Sequence, residues 1–256
     1  MKKLLLLLLM FTSSLSFAQS KKKVDNNFHI YLLVGQSNMA GRAPIDSMSK
    51  ETNTQIVMLD KNGNWVPATD PVHFDKPSVA GVGPGIGFAK EMIKDNRKIK
   101  IGLVPCAWGG SSIKVWEPDS AYMTGHPYDD AIERTRLAMQ SGVLKGILWH
   151  QGESDNNPQG VQYYMDRVKI LIARFRAAFG NPELPFVAGE IGSFGKNTRI
   201  NKILDAIPDQ VANTATVSAE GLTDKGDQTH FDAASARELG KRYAIAMKKL
   251  LAGSKK

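Results

Sequence analysis

Short, almost unbroken apolar runs alternate with amphipathic stretches of helical length, and this alternation restricts the chain more than any other feature. The runs are His29–Val34, Gln55–Leu59, Lys100–Pro105, Lys145–His150 and Pro185–Glu190. Centres such as Ile101-Gly102-Leu103-Val104 and Ile147-Leu148-Trp149 lack the apolar–polar alternation of a half-exposed strand, so both faces must be covered. Between them, Val161–Phe179 sets Val161, Tyr164, Val168, Leu171, Ile172 and Phe175 on one stripe, and Gly180 stops the helix. Ala233–Leu251 repeats the pattern with Ala236, Leu239, Tyr243, Met247 and Leu250, behind Asp232 as N-cap. Gly85–Asp95 and Asp130–Gln140 predict two shorter helices. Strands joined through helices make parallel sheets with right-handed crossovers. The expected fold is therefore α/β: a three-layer α/β/α sandwich around a mainly parallel, five-stranded sheet.

The ends fall outside that pattern. Lys2 and Lys3 precede the apolar run Leu4–Met10, and Ser16-Phe17-Ala18 supplies small residues at the cleavage positions. This predicts a signal peptide over residues 1–18 and an exported product, periplasmic or extracellular. The run is too short for a bilayer of ~30 Å, and no other segment approaches ~20 apolar residues, so no stable membrane insertion is expected after cleavage. Residues 19–27 read as a basic, polar leader, 28–252 as one domain without internal repeats, and 253–256 as a basic tail. The single cysteine, Cys106, permits no intramolecular disulfide and reads as a small buried filler. The formal net charge of +8 drops to +6 without Lys2 and Lys3, and much of the rest lies in terminal lysines. No internal basic stripe is interleaved with aromatics, so nucleic acid is not an expected partner. Oligomeric state leaves no signal.

Reactive groups in such a sheet gather at the carboxyl ends of the strands. Four loops there hold unusual residues: Gly35-Gln36-Ser37-Asn38, Ala107-Trp108-Gly109-Gly110-Ser111, His150-Gln151-Gly152-Glu153 and Asp227-Gln228-Thr229-His230. Ser37, two residues past the strand-ending Gly35, serves equally as a helix cap or as a nucleophile. A nucleophilic serine needs a base, and the base needs an orienting group. Asp227 and His230, three apart in one turn, supply both. A carbonyl attacked by serine also needs donors for its developing oxyanion. The Ser37 amide, a Gly109 or Gly110 amide and the Gln151 side chain are the candidates, although a tight turn and a structural hydrogen bond also account for the glycines and the glutamine. Glu153 either orients neighbouring loop amides or replaces Asp227 behind His230, and Asn38 is a further supporting candidate. His150 reads as structural, and His73 and His126 as loop residues. No Cys/His cluster has metal-ligand spacing, so neither metal nor cofactor is expected.

GQSNMAG, Gly109-Gly110-Ser111-Ser112-Ile113 followed by Trp116, HQGES and DQTH, in that order, resemble the SGNH hydrolase superfamily. Within it they are most similar to the sialate O-acetylesterase and acetylxylan esterase group, carbohydrate esterase family 6. The similarity runs from Phe28 to Leu250. It implies a flavodoxin-like sandwich and metal-independent removal of acetyl groups from an acetylated carbohydrate. It also implies Ser37 as nucleophile, His230 as base, Asp227 as its partner, and Gly110 (or Gly109) and Gln151 at the oxyanion positions. Gly-Gln-Ser stands where the superfamily's first block reads Gly-Asp-Ser, as in the esterase subgroup. Rival readings are a broader lipase-like or thioesterase activity on the same residues, a non-catalytic glycan-binding protein, and a thiol enzyme built on Cys106.

Overall fold

A computed structural model of the chain describes residues 24–194 and 196–253. The signal peptide read from residues 1–18 and most of the adjoining leader lie outside the described residues. The described elements begin with β1 (Asp25–Gly35), α1 (Ser37–Ala40), β2 (Ile56–Leu59), β3 (Trp65–Pro67), α2 (Pro84–Ile93) and β4 (Lys100–Pro105). They continue with α3 (Pro127–Met139), β5 (Gly142–His150), α4 (Gly160–Ala178), β6 (Phe186–Gly189), α5 (Asn201–Asp205), α6 (Ile207–Gln210), β7 (Thr214–Val217) and α7 (Ala233–Gly253).

Among the described residues the sheet has seven strands in the order β3-β2-β4-β1-β5-β6-β7, and only β3 runs antiparallel, against β2. The five expected strands are all present; the two additions are the edges. β3 is three residues long and ends at Pro67, and β7 is Thr-Ala-Thr-Val with its middle pair partly exposed. Edge strands are covered less, so they carry no continuous apolar run to read. β1 also begins earlier than expected, at Asp25, whose amide donates to Ser141 O at 3.2 Å.

β1 shows why a central strand is apolar throughout. Ile30, Leu32 and Val34 face a core shared with Trp149, Val168, Leu171 and Phe175 on the α3/α4 side. Tyr31 and Leu33 face the opposite core, with Phe88, Leu239, Tyr243 and Met247 on the α2/α7 side. The second pair of helices crosses closely because glycine meets glycine there. A Cβ on Gly87 would lie 2.4 Å from Arg237 O, and one on Gly240 would lie 2.2 Å from Pro84 O. Cys106 is buried in the α3/α4-side core, where desolvation pushes its thiol up to about 12.

The arrangement places the reactive loops together. β1 lies between β4 and β5, all three parallel, and the chain leaves β1 to build first one side of the sheet and then the other. At such a switch point the loops after neighbouring strands diverge and leave a crevice at the carboxyl edge.

Candidate active site

β1 stops where a side chain no longer fits. Gly35 has φ +125°, and a Cβ there would lie 2.1 Å from His150 O. The next amide, Gln36 N, donates to that same carbonyl at 2.8 Å, and the one-turn helix α1 starts at Ser37. Ser37 is 7% exposed, and its Oγ is 3.0 Å from Nε2 of His230, which lies 193 residues on.

The loop carrying His230 is shaped by carboxylates. Asp224 accepts from the Gly226 and Gln228 amides, and Asp227 Oδ1 accepts from Thr229 N at 3.0 Å and His230 N at 2.8 Å. Those bonds aim Asp227 Oδ2 at His230 Nδ1, 2.7 Å away, with Lys225 Nζ 3.0 Å from the same oxygen. Burial raises the Asp227 carboxyl, but the bonds from His230, Lys225 and Thr229 outweigh it and hold the group well below the usual carboxylate range. An ionised Asp227 accepts from Nδ1–H, so the lone pair on Nε2 is free to accept from the serine hydroxyl.

Asn38, beside the serine, fastens this loop to α1. Its Oδ1 accepts from Phe231 N at 3.1 Å, and its Nδ2 donates to Thr229 O at 3.0 Å and to Glu153 Oε1 at 2.6 Å. The residues on either side of His230 are thus tied to the neighbour of Ser37. The carboxylate touching His230 is Asp227; Glu153 reaches Asn38 instead. Burial lifts the Glu153 carboxyl to about 7, against the opposing bond from Asn38. Beneath it His150 is fully buried, and desolvation pushes its imidazole down to about 3. Tyr243 spends its one proton on Trp149 O at 2.7 Å, so His150 Nδ1, 3.1 Å away, donates to the phenol oxygen. His150 Nε2 is left as a bare lone pair 3.8 Å from Glu153.

Two corrections concern the expected oxyanion donors, one in the loop after β4 and one in the loop after β5. Gly109 N is 2.8 Å from Asp75 Oδ2, which Arg42 also grips at 2.6 Å, so this amide is already engaged. Gly110 is exposed, has φ +82°, and its amide has no partner among the described residues. Gln151 is the second correction. It is fully buried, and its two amide protons face three acceptors: Asp155 Oδ2 at 2.7 Å, Ser111 O at 3.0 Å and Gln36 Oε1 at 3.1 Å. A group so engaged has no proton left for a substrate oxygen. It joins the loops after β1, β4 and β5 instead.

Sequence reading overlooked the residue that organises this network. Asp155, nearly fully buried, accepts from Ser112 Oγ at 2.7 Å, Ile113 N at 2.8 Å, Gln151 Nε2 at 2.7 Å and Tyr163 OH at 2.8 Å. Its one visible signal is its place two residues past Glu153. Asp75 and Arg42 had none, because their pairing spans 33 positions. Trp116 is a core residue, edge-on to Trp149. His126 is exposed, whereas His73 is buried.

A serine, an imidazole and a carboxylate bonded in series at the carboxyl edge of a parallel sheet define a hydrolase of the serine-dependent carboxylic ester class. The profile of the carbohydrate esterase, sialic acid-specific acetylesterase family matches residues 27–249, and the chain belongs to that family. A relative in Arabidopsis thaliana, described as a "probable carbohydrate esterase", is 33% identical over 85% of this chain and 89% of its own length. A crystal structure from the same plant superposes with a TM-score of 0.78 at 33% identity, covering 88% of this chain and 99% of that one. The fold is shared with NanS, with TM-score 0.69, 18% identity, and 90% and 100% of the two chains covered. It is shared too with a carbohydrate acetylesterase from Xanthomonas citri, with TM-score 0.66, 20% identity, and 88% and 57% covered.

Proposed function

We propose that this protein is an exported carbohydrate O-acetylesterase that works through an acetyl-serine intermediate. The observation that carries the reading is the unbroken relay from Asp227 through His230 to Ser37, with bonds of 2.7 and 3.0 Å. Ser37 Oγ attacks the acetyl carbonyl as its proton passes to His230 Nε2, and Asp227 stabilises the imidazolium that forms. The tetrahedral oxyanion rests on the Ser37 and Gly110 amides, the expected donors that have no partner among the described residues. Collapse breaks the ester C–O bond, and the imidazolium returns its proton to the departing sugar oxygen. A water activated by His230 then attacks the acetyl-serine, releasing acetate and restoring the hydroxyl. Asn38 and Glu153 act on this sequence by holding the His230 loop. Family membership supports the acetyl and carbohydrate parts of the substrate, and the basic–apolar–small pattern of residues 1–18 supports export.

The test is hydrolysis of 4-nitrophenyl acetate and acetate release from acetylated glycans by wild type and by Ser37→Ala. Turnover in the wild type that vanishes in the variant supports the reading. Equal turnover in both, or none on any acetyl ester, sinks it.

A further inference from the structure

The turn that carries Gly110 is anchored at both ends, and among the described residues its central peptide hangs on a single hydrogen bond. Ser111 N donates to Trp108 O at 3.1 Å, which makes residues 108–111 a β-turn with Gly109 and Gly110 at its centre. Trp108 N and Ser111 Oγ both reach Gly35 O, at 2.9 and 3.4 Å, so the turn is tied to the chain just before Ser37. Asp75 takes the Gly109 amide, and Ser154 Oγ donates to Gly110 O at 3.0 Å. The peptide between Gly109 and Gly110 remains. Its N–H is the open donor, and its carbonyl accepts from Tyr122 OH at 3.2 Å.

A β-turn can hold its central peptide in two orientations. Types I and II keep the same closing bond and differ by roughly a half-turn of the plane between their second and third residues. Type II needs a positive φ at the third residue, and Gly110 at +82° has it. In most sequences a Cβ excludes that form; with glycine at both central positions neither form is excluded. The C=O and N–H of a trans peptide point opposite ways. Turning this plane would therefore carry the Gly110 N–H to the other side and put the Gly109 carbonyl where the donor had been. It would also aim that carbonyl away from the Tyr122 hydroxyl. Tyr122 is itself held. Its N donates to Gly125 O at 2.9 Å and Gly125 N donates to its O at 3.1 Å. A Cβ on Gly125 would lie 2.6 Å from the Trp108 ring, so the tyrosine's own turn packs on the first residue of the turn it steadies. Burial and the Asp75 carboxylate push the phenol above its ordinary value, so the hydroxyl keeps its proton.

We infer that Tyr122 is a positioning residue for the reaction: by donating to Gly109 O it holds the peptide between Gly109 and Gly110 with its N–H available to the oxyanion. The inference rests on the esterase reading above and adds to it the group that orients one of the two donors. Negative charge developing at the N–H makes the carbonyl of the same peptide a stronger acceptor, so the bond from Tyr122 tightens in the transition state.

The test is Tyr122→Phe, which removes one oxygen and keeps the ring. On 4-nitrophenyl acetate kcat should fall about fivefold, the worth of one ordinary hydrogen bond, while KM stays as in wild type. Acylation and deacylation both pass through an oxyanion, so the fall should appear whichever step limits turnover. An unchanged kcat, or a loss confined to KM, overturns the inference. Nuclear magnetic resonance reads the peptide without turnover. In protein made with isotope-labelled glycine, the Gly110 amide signal, identified by its loss in Gly110→Ala, should move in Tyr122→Phe while that of Gly180, past the end of α4, stays in place. A Gly110 signal that keeps its wild-type position overturns the inference. Wild type without aryl-ester turnover would defeat the esterase reading alone, and the spectra would still decide whether Tyr122 sets this peptide.

Discussion

Replacing Glu153 with glutamine should leave stability nearly unchanged near pH 4.5 and raise it above wild type by pH 8. Burial lifts this carboxyl from 4.5 to about 7 in the folded protein. Below pH 4.5 it is protonated in folded and unfolded chains alike, and the wild type has its full stability. As pH climbs toward 7 the unfolded chain ionises and the folded one does not, so stability is lost across that window and the loss levels off above it. At 1.36 kcal/mol per tenfold change in proton affinity, the loss amounts to about 3 kcal/mol at most. The side chain is 16% exposed, and that solvent contact trims the figure to about 2 kcal/mol. Glutamine escapes the loss because it carries no charge, while its carbonyl still accepts from Asn38 Nδ2. The assay is urea denaturation of both proteins at intervals between pH 4.5 and 8. A stability difference that does not change with pH would mean that Glu153 ionises as it does in water, and the reasoning would fail. Turnover supplies a second check: Glu153 touches Asn38 and not His230, so the glutamine variant should keep kcat within a few-fold.

Asp227→Asn should lower kcat on acetyl esters by two to four orders of magnitude, roughly, because the amide no longer holds the imidazole tautomer that frees Nε2; a smaller loss than for Glu153→Gln would reverse the two assignments. Because its bonds hold the Asp227 carboxyl below the usual range, its stabilising effect is complete above 3.8 and fades only as pH drops past that value. No acid limb from Asp227 should therefore appear in kcat/KM above about pH 4; such a limb in the wild type that is absent from Asp227→Asn would contradict this. Asp155→Ala strips acceptors from four donors and should cost about 3 kcal/mol or more in chemical denaturation, a retained midpoint being the adverse result. Gly110→Ala forces a side chain into φ +82°, which should cost about 1–2 kcal/mol and reduce kcat more than KM if its amide serves the oxyanion; a change confined to KM would remove it from that role.

How much was legible in the sequence differs from element to element. The five central strands and four long helices could be read because burial on both sheet faces, or on one helical stripe, writes a local pattern. β3 and β7 escaped because edges need little apolar cover. Ser37, Asp227 and His230 could be singled out because each follows a break in such a pattern. Asp227 also lies within one turn of His230, so that contact is local.

The candidate oxyanion donors show the boundary most clearly. Gly109 and Gly110 are identical in sequence, and only the fold separates them, by bringing Asp75 within reach of one amide and leaving the other open. Gln151 looked free because its acceptors, Gln36, Ser111 and Asp155, arrive on three different loops. Sequence by itself determined the β–α order, the apolar faces and the reactive residue types, since those follow from short-range periodicity and turn chemistry. Tertiary structure alone decided which donors remain unspent and which polar atoms remain unpaired, because hydrogen-bond capacity is limited and is divided among groups that meet only after folding.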